Sequence, residues 1–375
     1  MSVKAKKKFN IADYTGLLSS LIAIIGGLLI AFIVLMLTNP NKGFSAFTTL
    51  ITGGFRLGGF KNLGTLFYFA TPILCTGVAM CLAFQAGIFN IGGPGQYSVG
   101  ALAAILTSLY LSKNFPGPLA WIVPLIVATI AGAAWAFIPG ILKAYFNVNV
   151  VIGTIMFNYI EMYYMMHWIN EYCYDALKGQ TKAIPAQCKL PQWFMPGITG
   201  GNKTADIGIL IAILFAVLAW ILIEKTQLGY ELKACGKNAE ASRYAGIKSK
   251  RNIMISILLS GALCGLGGGL THLSVSGTYI TMKEALAAEG FNGIAVCCLA
   301  NNSPLGAILG ALFLSFLTVG GNYMQIFGFQ REIVSVITSV IIYFAAFSLF
   351  LKQIIEKKLN AQKKEINKVT GEELK

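Results

Sequence analysis

ELKACGKNAEASRYAGIKSKRN, Glu231 to Asn252, is a polar and strongly basic stretch between two long apolar runs. Within it Asn238 has the side chain of a helix N-cap, and Gly246 suits the left-handed residue that follows a helix. The residues between, Ala239 to Ala245, then make a helix of about two turns, roughly 10 Å long. Ala241, Tyr244 and Ala245 share one face at the i, i+3, i+4 spacing, with alanines small enough to be pressed against another protein. A helix this short is unstable alone, so it reads as a docking element held by the apolar segments on either side.

Outward from that stretch the chain is membrane-like. Hydrophobic residues make up 56% of its 375 residues and charged residues 12%, where a soluble domain carries about a quarter charged. The mean hydropathy is +0.68. Ten candidate spans are expected, at 16–37, 63–84, 96–112, 119–138, 150–169, 207–223, 253–275, 285–300, 304–321 and 331–351. The eighth carries Glu289, Gly290 and Asn292 and reads as a broken or re-entrant helix. Residues 1–351 form a single transmembrane domain, and 352–375 a basic amphipathic tail that continues the last helix and then frays.

The net charge of +14 does not point to nucleic acid, because the basic residues are scattered over loops and both termini. They suit orientation in a membrane instead. With the N-terminus inside, 19 of the 29 basic residues fall on the cytoplasmic side, including those of the 224–252 loop and the tail. That topology puts both termini in the cytoplasm and the 170–206 loop outside. The first span is an uncleaved anchor, since its apolar run is long and Thr38-Asn39-Pro40 is no small-residue cleavage site. Cys173 and Cys188 share the external loop, where oxidising conditions would permit a disulfide.

Signatures of catalysis are missing from the sequence. Gly236-Lys237 is followed by Asn238, so there is no P-loop, and the chain cannot be its own ATPase. His167 and His272 are too far apart in sequence to suggest a metal site, and no serine sits in a G-x-S-x-G elbow. Neither a catalytic residue nor a bound metal or cofactor is expected on this chain.

Polar residues inside the spans are the candidates for a solute path. Glu161, in VVIGTIMFNYIEMYYMMHW, has Asn158 one turn earlier on the same face; an intramembrane carboxylate there implies a water-filled path or a paired site. Glu284 and Glu289 are expected near the outer end of the broken span, capping it or lining an entrance. QAGIFNIGGPGQYSVGALAAI places Asn90, three glycines, Pro94 and Gln96 between two spans, and backbone this irregular must be buried in protein or line a cavity. Gly261, Gly265 and Gly269 form a tandem G-x-x-x-G, the pattern of close helix packing. On the residues alone, an ion-coupled secondary transporter or channel and a membrane-embedded scaffold stay open beside an ATP-driven permease.

FNIGGPGQYSVGALAA resembles the signature of permeases from bacterial ABC importers for nucleosides and simple sugars, in the branched-chain amino acid and ribose permease superfamily. LKACGKNAEASRYAGI resembles the loop with which such permeases dock on their ATPase. VVIGTIMFNYI and GFNGIAVCCLANNSPLGAILGALF fit the same family in order and spacing, so the resemblance covers roughly residues 60–350. Pro94 stands where many relatives have an acidic residue, and of the fuller docking pattern of maltose-type permeases only Glu240, Ala241 and Gly246 are present.

The resemblance implies an all-α fold, the ABC importer transmembrane domain of the ribose and vitamin-B12 permease-like type, in the bacterial inner membrane. It implies a second permease chain, ATPase subunits that hold ATP and magnesium, and an extracytoplasmic binding protein. Substrate contacts are expected from Asn90, Gln96, Asn158, Glu161, Phe291 and Asn292: amides suit hydroxyls and base edges, and an aromatic face suits a ring. Coupling to the ATPase is expected from Asn238, Glu240, Ala241, Tyr244, Ala245 and Gly246. Nucleosides fit best, purine nucleosides first among them, with ribose or another simple sugar as the alternative.

Overall fold

A computed structural model of the chain describes residues 15–111, 117, 119–347, 350–355 and 357. The N-terminal lysines and the tail beyond residue 357 lie outside the described residues.

Fifteen α-helices are described. The first four are α1 (Thr15–Thr38), α2 (Pro40–Ile51), α3 (Phe55–Gly58) and α4 (Lys61–Gln85). Then come α5 (Gly93–Leu111), α6 (Ile122–Phe146), α7 (Val150–Trp168), α8 (Met195–Ile198) and α9 (Gly208–Lys225). The series ends with α10 (Gln227–Lys237), α11 (Ala239–Tyr244), α12 (Ser249–Leu273), α13 (Ala288–Leu299), α14 (Pro304–Met324) and α15 (Arg331–Ala346). Each expected span overlaps one of these helices, with α6 running on to Phe146 and α13 confined to Ala288–Leu299. Six of them, α1, α4, α6, α9, α12 and α14, are long and apolar enough to cross a membrane. The 19-residue α5 and α7 are long enough but fall outside that apolar set, and α13 and α15 contain only shorter apolar stretches.

The glycine seam explains how the centre is built. α12 packs against α4, α5 and α6, and α4 and α12 are the most enclosed of the six apolar spans. A methyl group added at Gly265 would lie 2.9 Å from Gly132 Cα on α6, and one at Gly268 would lie 2.9 Å from Ala101 N on α5. Only hydrogen in place of a side chain lets these backbones approach so closely. The outer surface is apolar, as a lipid-facing or subunit-facing surface must be. Leu21, Ile25, Leu29 and Ile33 lie exposed along α1, and Leu210, Leu214 and Leu218 along α9.

Two features depart from the sequence reading, and the Cys173–Cys188 pairing that it left open is not formed. The 224–252 stretch contains, besides the short α11, the 11-residue α10, capped by the Thr226 hydroxyl, which accepts from Gly229 N at 3.1 Å. Its charges interrupt any apolar run, yet Leu232 is buried with Ala86, Ile88, Val150 and Ile257, and Lys233 pairs with Glu224 at 3.0 Å. The 170–206 loop holds a two-stranded antiparallel hairpin, β1 (Tyr174–Asp175) with β2 (Gln180–Thr181), so the fold is not purely helical. Cys173 and Cys188 are both buried and free. They pack into different apolar clusters, Cys173 with Ile169 and Leu102, Cys188 in the main core.

Candidate functional site

Between α4 and α5 the backbone leaves helical geometry for seven residues, 86–92. α4 stops at a left-handed Gly87, φ 72°, with Gly87 N donating to Phe84 O at 3.0 Å and Ile88 N to Ala83 O at 2.9 Å. This is the glycine-ended helix terminus that satisfies the last carbonyls. Irregular backbone at such a place needs partners, and buried amide side chains supply them. Asn90 donates to Gln96 Oε1 at 3.1 Å and to Ser260 Oγ on α12 at 2.9 Å, and its Oδ1 accepts from Gly92 N at 2.9 Å. Asn158, on α7, accepts from Gly95 N at 3.0 Å and donates to Ile91 O at 3.0 Å.

Three of the expected substrate residues, Asn90, Gln96 and Asn158, are thus brought into one buried cluster, with their amides engaged by protein groups. Ser260 is its fourth member and was not singled out from the sequence. Glu161 lies one turn beyond Asn158, only 2% exposed. Its Oε1 and the indole Nε1 of Trp135 are buried without hydrogen-bond partners among the described residues. The Trp135 ring packs on Phe157 and Tyr164, the residues that flank Glu161 along α7. Phe291 and Asn292 stand apart from this cluster on α13, Phe291 being 40% exposed. α13 is anchored just before them: Thr76 Oγ1 donates to Glu289 O at 2.9 Å, and a methyl at Gly290 would lie 2.5 Å from Pro94 Cα.

The 231–252 stretch has the local geometry its residues dictate. Asn238 Oδ1 accepts from Ala241 N at 3.0 Å, and Gly246 has φ 81°. Ile247 N donates to Ser242 O and Gly246 N to Arg243 O, both at 3.0 Å, so the last turn of α11 is closed by a Schellman pair. Ser242 is the one buried residue of α11. Glu240, Ala241 and Ala245 are exposed, and Tyr244 is 94% exposed.

The 231–252 stretch and the irregular segment touch, which neither motif announces. A methyl at Gly236, in the last turn of α10, would lie 2.7 Å from Gly87 N and 2.8 Å from Ala86 C. The backbones of α10 and the 86–92 segment are therefore in direct contact.

A cavity of about 370 Å³ lies beside this contact, with Gln85, Trp220 and Asn301 in its wall. A larger one, about 510 Å³, lies at the opposite end of the bundle, between α4, α5, α12 and the extended stretch 274–287 that leads into α13. Tyr68, Tyr97, His272, Tyr279, Lys283 and Glu289 line it. Of these only Glu289 stands out in the sequence, as a residue at an entrance. The aromatic residues look like core in any reading of an apolar chain.

This architecture is that of a multi-pass membrane transport subunit, and the chain belongs to the family described as the branched-chain amino acid transport system / permease component, which matches residues 62–346. The chain is similar to the guanosine ABC transporter permease protein NupP of Bacillus subtilis (strain 168), 38% identical over 344 residues, 91% of this chain and 96% of the relative. It is similar to the nucleoside ABC transporter permease protein NupB of Lactococcus lactis subsp. cremoris (strain MG1363), 34% identical over 360 residues, 94% of this chain and 96% of the relative. It is also 30% identical, over 76% of both chains, to the glucose ABC transporter permease protein TsgB13 of Haloferax volcanii. No solved structure matches.

Proposed function

We propose that this chain is the membrane permease of an ATP-driven importer of nucleosides, delivered to it by an extracytoplasmic binding protein. The observation that carries the reading is near full-length similarity, 34–38% identical, to two permeases named for guanosine and nucleoside transport. The glucose-named relative is less similar and covers less of the chain, which ranks the simple-sugar alternative second. The chain lies in the bacterial inner membrane in ten crossings, some of them partial, with the termini and α10–α11 in the cytoplasm and the 170–206 loop outside. The 19-to-10 division of basic residues supports that orientation.

Two permease chains enclose the path, and ATPase subunits seat the exposed face of α11. ATP and magnesium belong to those subunits, and this chain carries no chemistry. ATP binding stabilises one of two permease conformations and substrate the other, and alternation between them moves the solute. The contact of Gly236 with Gly87 offers the route by which a push on α11 reaches the membrane: α10 bears on the 86–92 segment, and Asn90, Gln96 and Asn158 tie that segment to α5, α7 and α12. Substrate contact by Glu161, Phe291 and Asn292 belongs to the same proposal, with Glu161 as the polar group of the path nearest the amide cluster.

The test is uptake of labelled guanosine, adenosine, cytidine, ribose and leucine by proteoliposomes holding the permease with its ATPase, partner permease and binding protein. Nucleoside uptake that requires ATP is expected. Uptake of ribose alone would establish the sugar reading, and uptake without the ATPase would establish secondary transport.

A further inference from the structure

The 510 Å³ cavity lies within the usual size range of small-molecule sites, about 300–1,000 Å³. It opens at the end of the bundle that carries the 170–206 loop, because its wall at residues 279–281 is hydrogen-bonded to that loop. Thr181 N donates to Ile280 O at 2.9 Å, and Ile280 N to Thr181 Oγ1 at 3.0 Å. Four rings, Tyr68, Tyr97, His272 and Tyr279, stand in its wall among polar and small apolar residues. Tyr97 is buried beside His272, with ring centroids 6.5 Å apart, and the Tyr68 hydroxyl lies over Gly277. The His272 ring is fixed by its Nδ1, which donates to Gly277 O at 2.9 Å; a carbonyl only accepts, so that nitrogen carries the hydrogen.

Charge narrows the class of ligand. The wall has one carboxylate, Glu289, and one ammonium, Lys283. An anionic solute such as a nucleotide finds no cluster of cations, whereas a neutral aromatic solute finds rings to stack on. Among the described residues Glu289 forms no ion pair, Lys233–Glu224 being the one described, and its carboxylate accepts from its own backbone N–H. Its acceptor capacity is thus left for whatever enters. A carboxylate accepts at two oxygens and donates at neither, so it matches a base edge carrying two adjacent N–H donors, as on guanine. It mismatches the donor–acceptor edge of adenine.

We propose that this cavity is the permease's own recognition site for a purine nucleoside of the guanosine type, with tyrosine and histidine rings on the base and Glu289 accepting from its paired N–H groups. The inference rests on the nucleoside reading above and adds to it a location and a discrimination of guanine from adenine.

Glu289→Gln replaces one acceptor by a donor and so presents an adenine-like match. Proteoliposomes of the complete importer, with the binding protein saturated by either nucleoside, separate the permease's contribution from the receptor's. The ratio of guanosine to adenosine uptake should fall about tenfold or more in Glu289→Gln relative to the wild type, the discrimination expected of a paired hydrogen-bond match. Tyr279→Leu, at a residue 42% exposed and so tolerant in folding, should raise KM for both nucleosides while leaving their ratio unchanged. An unchanged ratio in Glu289→Gln overturns the proposal. If that variant is not produced, an unchanged KM in Tyr279→Leu overturns it. A wild-type importer that takes up no nucleoside refutes the import reading itself, whatever the cavity variants do.

Discussion

Gly236→Ala tests whether force passes from the docking stretch into the membrane through the α10 contact. The added methyl would press on Gln85 O and lie 2.7 Å from Gly87 N and 2.8 Å from Ala86 C, where ordinary contact begins at 3.4 Å, so backbone must yield by at least about 0.7 Å. No flexible side chain tip is available to absorb it. Overpacking of this kind costs about 1–3 kcal/mol. Replacing glycine inside a helix returns about 1 kcal/mol through propensity. The net expectation is a loss of about 1 kcal/mol for the conformation in which α10 rests on the 86–92 segment, a factor of about five in its population. Gly197→Ala, where an added methyl meets nothing within 4 Å, is the control. In proteoliposomes with the ATPase, Gly236→Ala should lower uptake and substrate-stimulated ATP hydrolysis together by about fivefold, with basal hydrolysis and expression unchanged. Wild-type stimulation and uptake in Gly236→Ala would refute the transmission route.

Ala241→Trp places a bulky side chain on the exposed face of α11, and Gly246→Val forces a β-branched residue into a left-handed position at a cost of about 1–3 kcal/mol. Each should leave the permease in the membrane at normal levels while abolishing co-purification with the ATPase and uptake; full uptake by Ala241→Trp would remove α11 from the interface. Glu161→Leu should stabilise the protein against heat, since it removes a buried oxygen that lacks a partner, by about 1–3 kcal/mol, and should cut uptake more than Glu161→Gln does. Wild-type transport by the Leu variant would show that the carboxylate takes no part. For topology, cysteines replacing Lys237 and Lys189 in a cysteine-free background should differ in labelling by an impermeant thiol reagent, only the latter reacting in spheroplasts. Labelling at position 237 alone would invert the orientation.

What could be read from the chain was local. The cap at Asn238 and the left-handed Gly246 depend on residues a few positions apart, and both are found. The Gly261–Gly265 seam was legible because small residues at a helical period have few other uses in an apolar span. The amide cluster was legible only in pieces: Asn158 meets the 91–95 backbone across more than 60 positions, and Ser260 meets Asn90 across 170. A serine in an apolar helix carries no mark of its partner. α10 was hidden because Glu231, Lys233 and Lys237 break its apolar pattern, leaving Leu232 to carry the packing. The cavity was hidden for the opposite reason, since Tyr68, Tyr97 and His272 sit in spans where aromatic residues usually fill the core.

The lacing of the 170–206 loop to the stretch before α13 has a practical corollary for anyone who labels or trims this protein. Ile184 N donates to Thr278 O at 3.1 Å and Leu190 N to Leu273 O at 2.8 Å, beside the Thr181–Ile280 pair. Deleting residues 180–190 would not shorten a tether; it would strip hydrogen-bond partners from backbone next to the bilayer, where lipid offers none in return. The turn at the hairpin's tip is different. Leu177 is 98% exposed and Gly179 already adopts φ 62°, so an epitope or fluorophore inserted after Lys178 hangs outside the lacing. That tip is the place for a handle, and residues 180–190 are not.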